Sequence, residues 1–139
     1  MRGNIEVIEH TADVALRVQS QSMLELFELA ARGFYQIVGR VEGRDSPRQE
    51  VVELAASSYE DLLHDWLAEV HYWLDVRQTV FDEISFTALH ERGLIAEVTA
   101  CRFDPKRSRI RTEIKAVTYH NLEIRQEDGL LTVTVVFDV

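Results

Sequence analysis

Ile84-Ser85-Phe86-Thr87-Ala88-Leu89-His90-Glu91-Arg92-Gly93-Leu94-Ile95-Ala96-Glu97-Val98 holds two β-favouring runs almost back to back. Val80 to Leu89 reads as one strand, Glu91-Arg92-Gly93 as a turn, and Leu94 to Phe103 as the next strand. A connection this short returns the chain antiparallel to itself, because a parallel partner needs a crossover of a dozen residues or more.

Further strand-like segments follow. Asp104-Pro105-Lys106 breaks the pattern. Glu113 to Tyr119 and Leu122 to Arg125 resume it, Glu127-Asp128-Gly129 is a hairpin signal, and Leu130 to Val139 is the last strand. Toward the N-terminus, Ile5 to Ile8 is β-favouring. Val14, Leu16 and Val18 alternate with Ala15, Arg17 and Gln19, the period of a half-buried strand.

Two helices interrupt the strands. Ser22 and Glu25 form a capping box, with Ser22 as N-cap. Behind it Leu24, Phe27, Ala30, Ala31, Phe34, Ile37 and Val38 recur at helical spacing up to Gly39. Gly43 to Arg48 is a loop and Glu50 to Ala56 a strand. Ser58 caps the second helix, whose stripe is Leu62, Leu63, Trp66, Leu67, Val70 and Leu74. The pattern predicts a single α+β domain over residues 1–139. Two amphipathic helices pack on a mostly antiparallel β-sheet of seven or eight strands.

The 139 residues suit one core that needs no disulfide staple. The single cysteine, Cys101, excludes an internal disulfide framework and a disulfide-linked partner is not expected; it reads as a small core residue. No apolar run is long enough to span a membrane, and the first residues lack the apolar run of a signal peptide. The net charge of −9 argues against tight direct RNA binding and favours divalent cations or basic protein surfaces. Among 15 basic residues only Lys106 and Lys115 are lysines.

Phosphate loops, metal-binding His-Glu-x-x-His helices and nucleophile elbows are absent. Three places hold residue types that could carry chemistry. His10-Thr11-Ala12-Asp13 can gather an imidazole, a hydroxyl and a carboxylate, or simply form a turn with side-chain to backbone bonds. In Ile114-Lys115-Ala116-Val117-Thr118-Tyr119-His120, alternation puts Lys115 on one face with Val117 and Tyr119, where it snorkels or pairs with a carboxylate. At the end of the sequence, Asp138 lies on a face with Thr132 and Thr134, and the α-carboxylate of Val139 adds another oxygen. Such oxygens suit calcium or magnesium, but spacing alone does not bring Asp13 to Asp138. His64 and His71, seven residues apart on the second helix, are two turns distant and read as rim residues.

Glu9-His10-Thr11-Ala12-Asp13, the Asp61-Leu62-Leu63-His64-Asp65-Trp66-Leu67 helix, Ile114 to His120 and the terminal Asp138-Val139 together resemble the archease family. The resemblance runs from near the first residue to the last. It implies a cytoplasmic protein cofactor, not itself an enzyme, of the GTP-dependent RNA ligase that joins 3′-phosphate or 2′,3′-cyclic phosphate ends. That ligase acts in tRNA splicing and RNA repair, and tRNA would be met only through it. The cofactor promotes guanylylation of the ligase's histidine and lets it turn over repeatedly.

The resemblance further implies a divalent metal, calcium before magnesium or manganese, held by Asp13, Asp138 and Val139. It implies an essential lysine at Lys115. His10, Thr11 and His120 lie in the motifs without an assigned role, and His64 and His71 depart from the apolar residues expected in relatives. A second activity associated with the family is chaperone-like modulation of a tRNA cytosine methyltransferase. A stand-alone metal-dependent hydrolase is the weakest reading, because no base is paired with a nucleophile.

Overall fold

Ser22 and Ser58 start the helices as the sequence predicts. In a computed structural model, which describes residues 3–9, 12–44 and 46–139, the Ser22 hydroxyl accepts the Glu25 amide at 3.2 Å and Ser58 accepts that of Asp61 at 3.1 Å. The capping box closes one residue early, since Glu25 Oε1 accepts from the Gln21 amide at 3.1 Å and not from Ser22. In chain order the elements are β1 (Asn4–Glu9), β2 (Asp13–Ser20), α1 (Met23–Val38), β3 (Gly39–Arg40), β4 (Arg48–Ala55) and α2 (Tyr59–Asp75). Then come β5 (Thr79–His90), β6 (Gly93–Arg102), β7 (Arg109–Ile110), β8 (Ala116–Val117), β9 (Arg125–Glu127) and β10 (Leu130–Asp138).

All pairings are antiparallel, and short turns account for β1–β2, β5–β6 and β9–β10. The strands divide between two principal sheets, where a single one is expected from sequence. One runs β1-β2-β10-β8 with β9 also on β10, the other β4-β6-β5, and β3 with β7 makes a small ribbon. The expected hairpin turn is present: Asp128 and Gly129 both have positive φ, 52° and 78°, which matches the right-handed twist of the strands it joins.

Two expected strands are corrected. Glu113 to Tyr119 is extended but pairs only at Ala116–Val117, and Leu122 to Arg125 gives way to β9 at Arg125–Glu127. The apolar Leu122 and Ile124 pack on the core from a loop. Burial alone therefore mimics a strand's composition there.

One core serves both sheets and both helices. Trp66 of α2 is fully buried, donates from Nε1 to the Phe27 carbonyl of α1 at 3.1 Å, and meets the Phe86 ring of β5 at 5.1 Å between centroids. Phe34 of α1 meets Phe137 of β10 at 5.8 Å. Each such ring stabilises the fold by roughly 1.5–3 kcal/mol through burial. Trp73 is also buried, while Leu74, expected in the stripe, is only partly so. Helix α1 ends at Gly39, whose φ of 138° and close approach to the Arg109 carbonyl leave no room for a Cβ.

Candidate functional site

Strand β10 carries Val133, Val135 and Phe137 inward and Thr132, Thr134, Val136 and Asp138 on its other face, the predicted alternation. It pairs with β2 in a register that sets Val136 opposite Ala15 and Asp138 opposite Asp13. Residues opposite one another in a ladder point to the same side, with Cβ atoms about 4.5–5.5 Å apart. The fold thus supplies what spacing could not, two carboxylates on one sheet face. Asp13 is half-buried and Asp138 exposed. The Val139 amide reaches the Ala12 carbonyl at 3.5 Å and carries the pairing one residue further.

Lys115 joins this end of the sheet. Its amide donates to the Asp138 carbonyl at 2.8 Å, and Ala116 pairs with Asp138. Ile114 is buried, 4% exposed, and Lys115 is exposed, as a lysine that snorkels to an edge would be.

The segment is anchored by the two helix histidines. His71 Nε2 donates to the Ile114 carbonyl at 2.7 Å, and His64 Nε2 to the Val117 carbonyl at 3.0 Å. The His64 ring also stacks on Tyr119 at 3.8 Å, and its Nδ1 lies 3.0 Å from the Asp65 carboxylate. These residues read from sequence as rim. They bind α2 to main-chain carbonyls on both sides of Lys115, and only their place at the edge of the apolar stripe hints at it.

His120 does not join the carboxylates. It is exposed, its amide donates to Thr118 Oγ1 at 3.2 Å, and it lines a cavity of about 880 Å³ with Arg17 and Thr134. His10 and Thr11 lie outside the described residues. Among the described residues no three His, Cys, Asp or Glu side chains converge as a metal cage. Asp13 and Asp138 offer carboxylate oxygens at this end of the ladder, and Val139 follows Asp138 in the chain. Hard oxygen donors of this kind fit calcium or magnesium and not a soft metal. Opposed like charges also disfavour each other unless a cation lies between them.

Comparison with known proteins decides the family. The model of the Archease protein family matches residues 5–139. The chain belongs to the archease family. The archease of Methanopyrus kandleri is 32% identical over 137 residues, covering 96% of this chain and 98% of that protein. The archease of Aeropyrum pernix is 32% identical over 136 residues, covering 94% of each. Two solved structures share the fold. Protein 1598 of Methanobacterium thermoautotrophicum superposes with a TM-score of 0.72 at 29% identity, over 97% of this chain and 98% of that one. The Thermotoga maritima protein, described as an archease and possible chaperone, gives 0.71 at 26% over 100% and 98%. The α+β architecture is that of these archeases.

Proposed function

We propose that this archease activates a GTP-dependent RNA ligase in the cytoplasm, promoting guanylylation of the ligase's histidine and its repeated turnover. The observation that supports this reading is the juxtaposition of Asp13, Asp138 and Lys115 at one end of the β2–β10 ladder in a chain of this family. Asp13, Asp138 and main-chain oxygen of Val139 would hold a divalent cation, calcium first. A bound divalent ion supplies positive charge that stabilises a phosphoryl group in transfer. The two aspartates orient it on a rigid ladder. Lys115, exposed and held by its own amide on Asp138, offers an ammonium to the phosphates of a nucleotide in the partner's pocket. This chain is then a protein cofactor and performs no chemistry of its own.

A ligase assay tests the proposal. Substoichiometric amounts of this protein should turn a single-turnover ligase into a multiple-turnover one, while Asp13→Ala, Asp138→Ala and Lys115→Ala fold but fail to do so. Stimulation at the parent level by any of the three removes that residue from the site, and no stimulation by the parent removes the reading.

A second reading has one observation behind it, the description of the Thermotoga relative as a possible chaperone. Under it this protein modulates a tRNA cytosine methyltransferase. Suppressed methyltransferase aggregation or shifted site choice, without any effect on ligase turnover, would favour it.

A further inference from the structure

The acidity of the chain is not evenly spread. Residues 39–44 and 102–111 hold seven of the 15 basic residues and only two of the 24 acidic ones, a local +5 that leaves −14 for the rest. The fold joins these two segments. Gly39 pairs with Ile110 and Arg40 with Arg109, the Arg111 amide donates to the Val38 carbonyl at 2.7 Å, and the Arg44 amide to that of Arg102 at 2.7 Å. Arg40, Arg44, Arg102, Lys106, Arg107, Arg109 and Arg111 are all exposed.

The β3–β7 ribbon is built against its own stability. Arg40 and Arg109 are directly opposite in the ladder, a like-charge pair that disfavours folding. Among the described residues its ion pairs are two long ones on the same carboxylate, Arg40–Glu42 at 3.9 Å and Arg107–Glu42 at 3.8 Å. Arg40, Arg109 and Arg111 line a cleft of about 320 Å³ together with Gly39 and Ile110. Arg111 is oriented there by its bond to the Gln36 carbonyl at 2.8 Å. A neighbouring cleft runs past Arg40, Arg111 and Thr112 to Glu9, whose ladder partner Val14 follows Asp13.

We infer that this ribbon binds the phosphate backbone of RNA directly, so that the strand leads toward the Asp13–Asp138 end of the sheet. The choice of RNA over another polyanion rests on the ligase reading above. The choice of a backbone over an acidic protein rests on the surface, which presents guanidinium groups around one exposed apolar residue, Ile110, instead of an apolar centre. Phe103, the one aromatic of residues 102–111, is half-buried and lines a separate cavity with Leu74 and Ile114. Binding is then independent of base sequence and steeply salt-dependent.

Fluorescence anisotropy of the full chain with a labelled single-stranded RNA 20-mer, with no ligase or GTP present, tests this. Affinity should fall with salt with a log–log slope near −2, as about three phosphate contacts on a single strand require. Arg40→Gln/Arg109→Gln/Arg111→Gln should weaken binding at least tenfold at low salt and flatten the slope. Lys106→Gln/Arg107→Gln, outside the ladder, gives a smaller loss without touching the ribbon's pairing.

No RNA binding, binding unchanged in both variants, tighter binding of DNA of the same sequence, or binding of polyglutamate in place of RNA each overturns the inference. Lost RNA binding with intact ligase stimulation overturns this inference alone. Intact RNA binding without ligase stimulation overturns the activator reading alone.

Discussion

Asp13 and Asp138 face each other across the β2–β10 ladder, two like charges held in register by strands from opposite ends of the sequence. Opposed like charges in a ladder cost roughly 0.2–1 kcal/mol. Asp138→Asn should therefore raise the melting temperature by about 1–4 °C in the presence of a chelator. Calcium should stabilise the parent and leave the variant unmoved, because binding to the native state alone raises stability by mass action. Calorimetry with and without calcium checks this; an equal calcium shift in both proteins would take the ion away from this pair.

His71 holds the Ile114 carbonyl from α2 while its ring lies 6.0 Å from that of Phe34. His71→Phe keeps the ring and removes the donor, at a cost of about 1 kcal/mol. The bond from the Lys115 amide to Asp138 is next in line. Hydrogen exchange at Lys115 should quicken, with the interior of α1 unaffected. Unchanged exchange at Lys115 would mean that the histidine does not position the lysine segment.

Gly33 sits inside α1, where alanine would normally favour the helix by about 1 kcal/mol. An added Cβ would lie 2.5 Å from Leu16 Cδ1 and 2.7 Å from Cδ2, and Leu16 is fully buried. Overpacking typically costs about 1–3 kcal/mol, so the clash outweighs the propensity. Gly33→Ala should be destabilising in a urea titration, and a stabilised variant would show that Leu16 has room to move.

Burial first, and then the nearby Asp82, push the Cys101 thiol above its ordinary range. The thiolate is the reactive form, so the folded protein at neutral pH should react with iodoacetamide far more slowly than the same protein in urea. Rate against pH should rise only above the usual thiol range. Fast native labelling would place Cys101 in a more open environment than its 6% exposure indicates.

Local rules account for the helices and the last hairpin, since Ser22, Ser58 and Asp128-Gly129 act on neighbours within a few residues. The faces of β10 follow from strict alternation. The division into two sheets and the opposition of Asp13 and Asp138 were not legible, because register between distant strands is fixed by packing of the whole core. Around Lys115 the ladder covers only Ala116 and Val117, and the chain is held to α2 by His64 and His71, contacts that no local pattern encodes. The ribbon of arginines escaped a reading based on total charge, which averages residues 39–44 and 102–111 with an acidic remainder.

The β2–β10 ladder also sets an order on folding. Its partners are separated by nearly the whole sequence, as Asp13 with Asp138, so the contact order of this sheet is high and its closure is slow. During synthesis β1, β2 and α1 emerge long before β10, leaving β2 with an open edge above an apolar face of Val14, Leu16 and Val18. The carboxylate pair consequently cannot form until β10 has been made, and a chain truncated before β10 lacks both Asp138 and the ladder that sets it opposite Asp13.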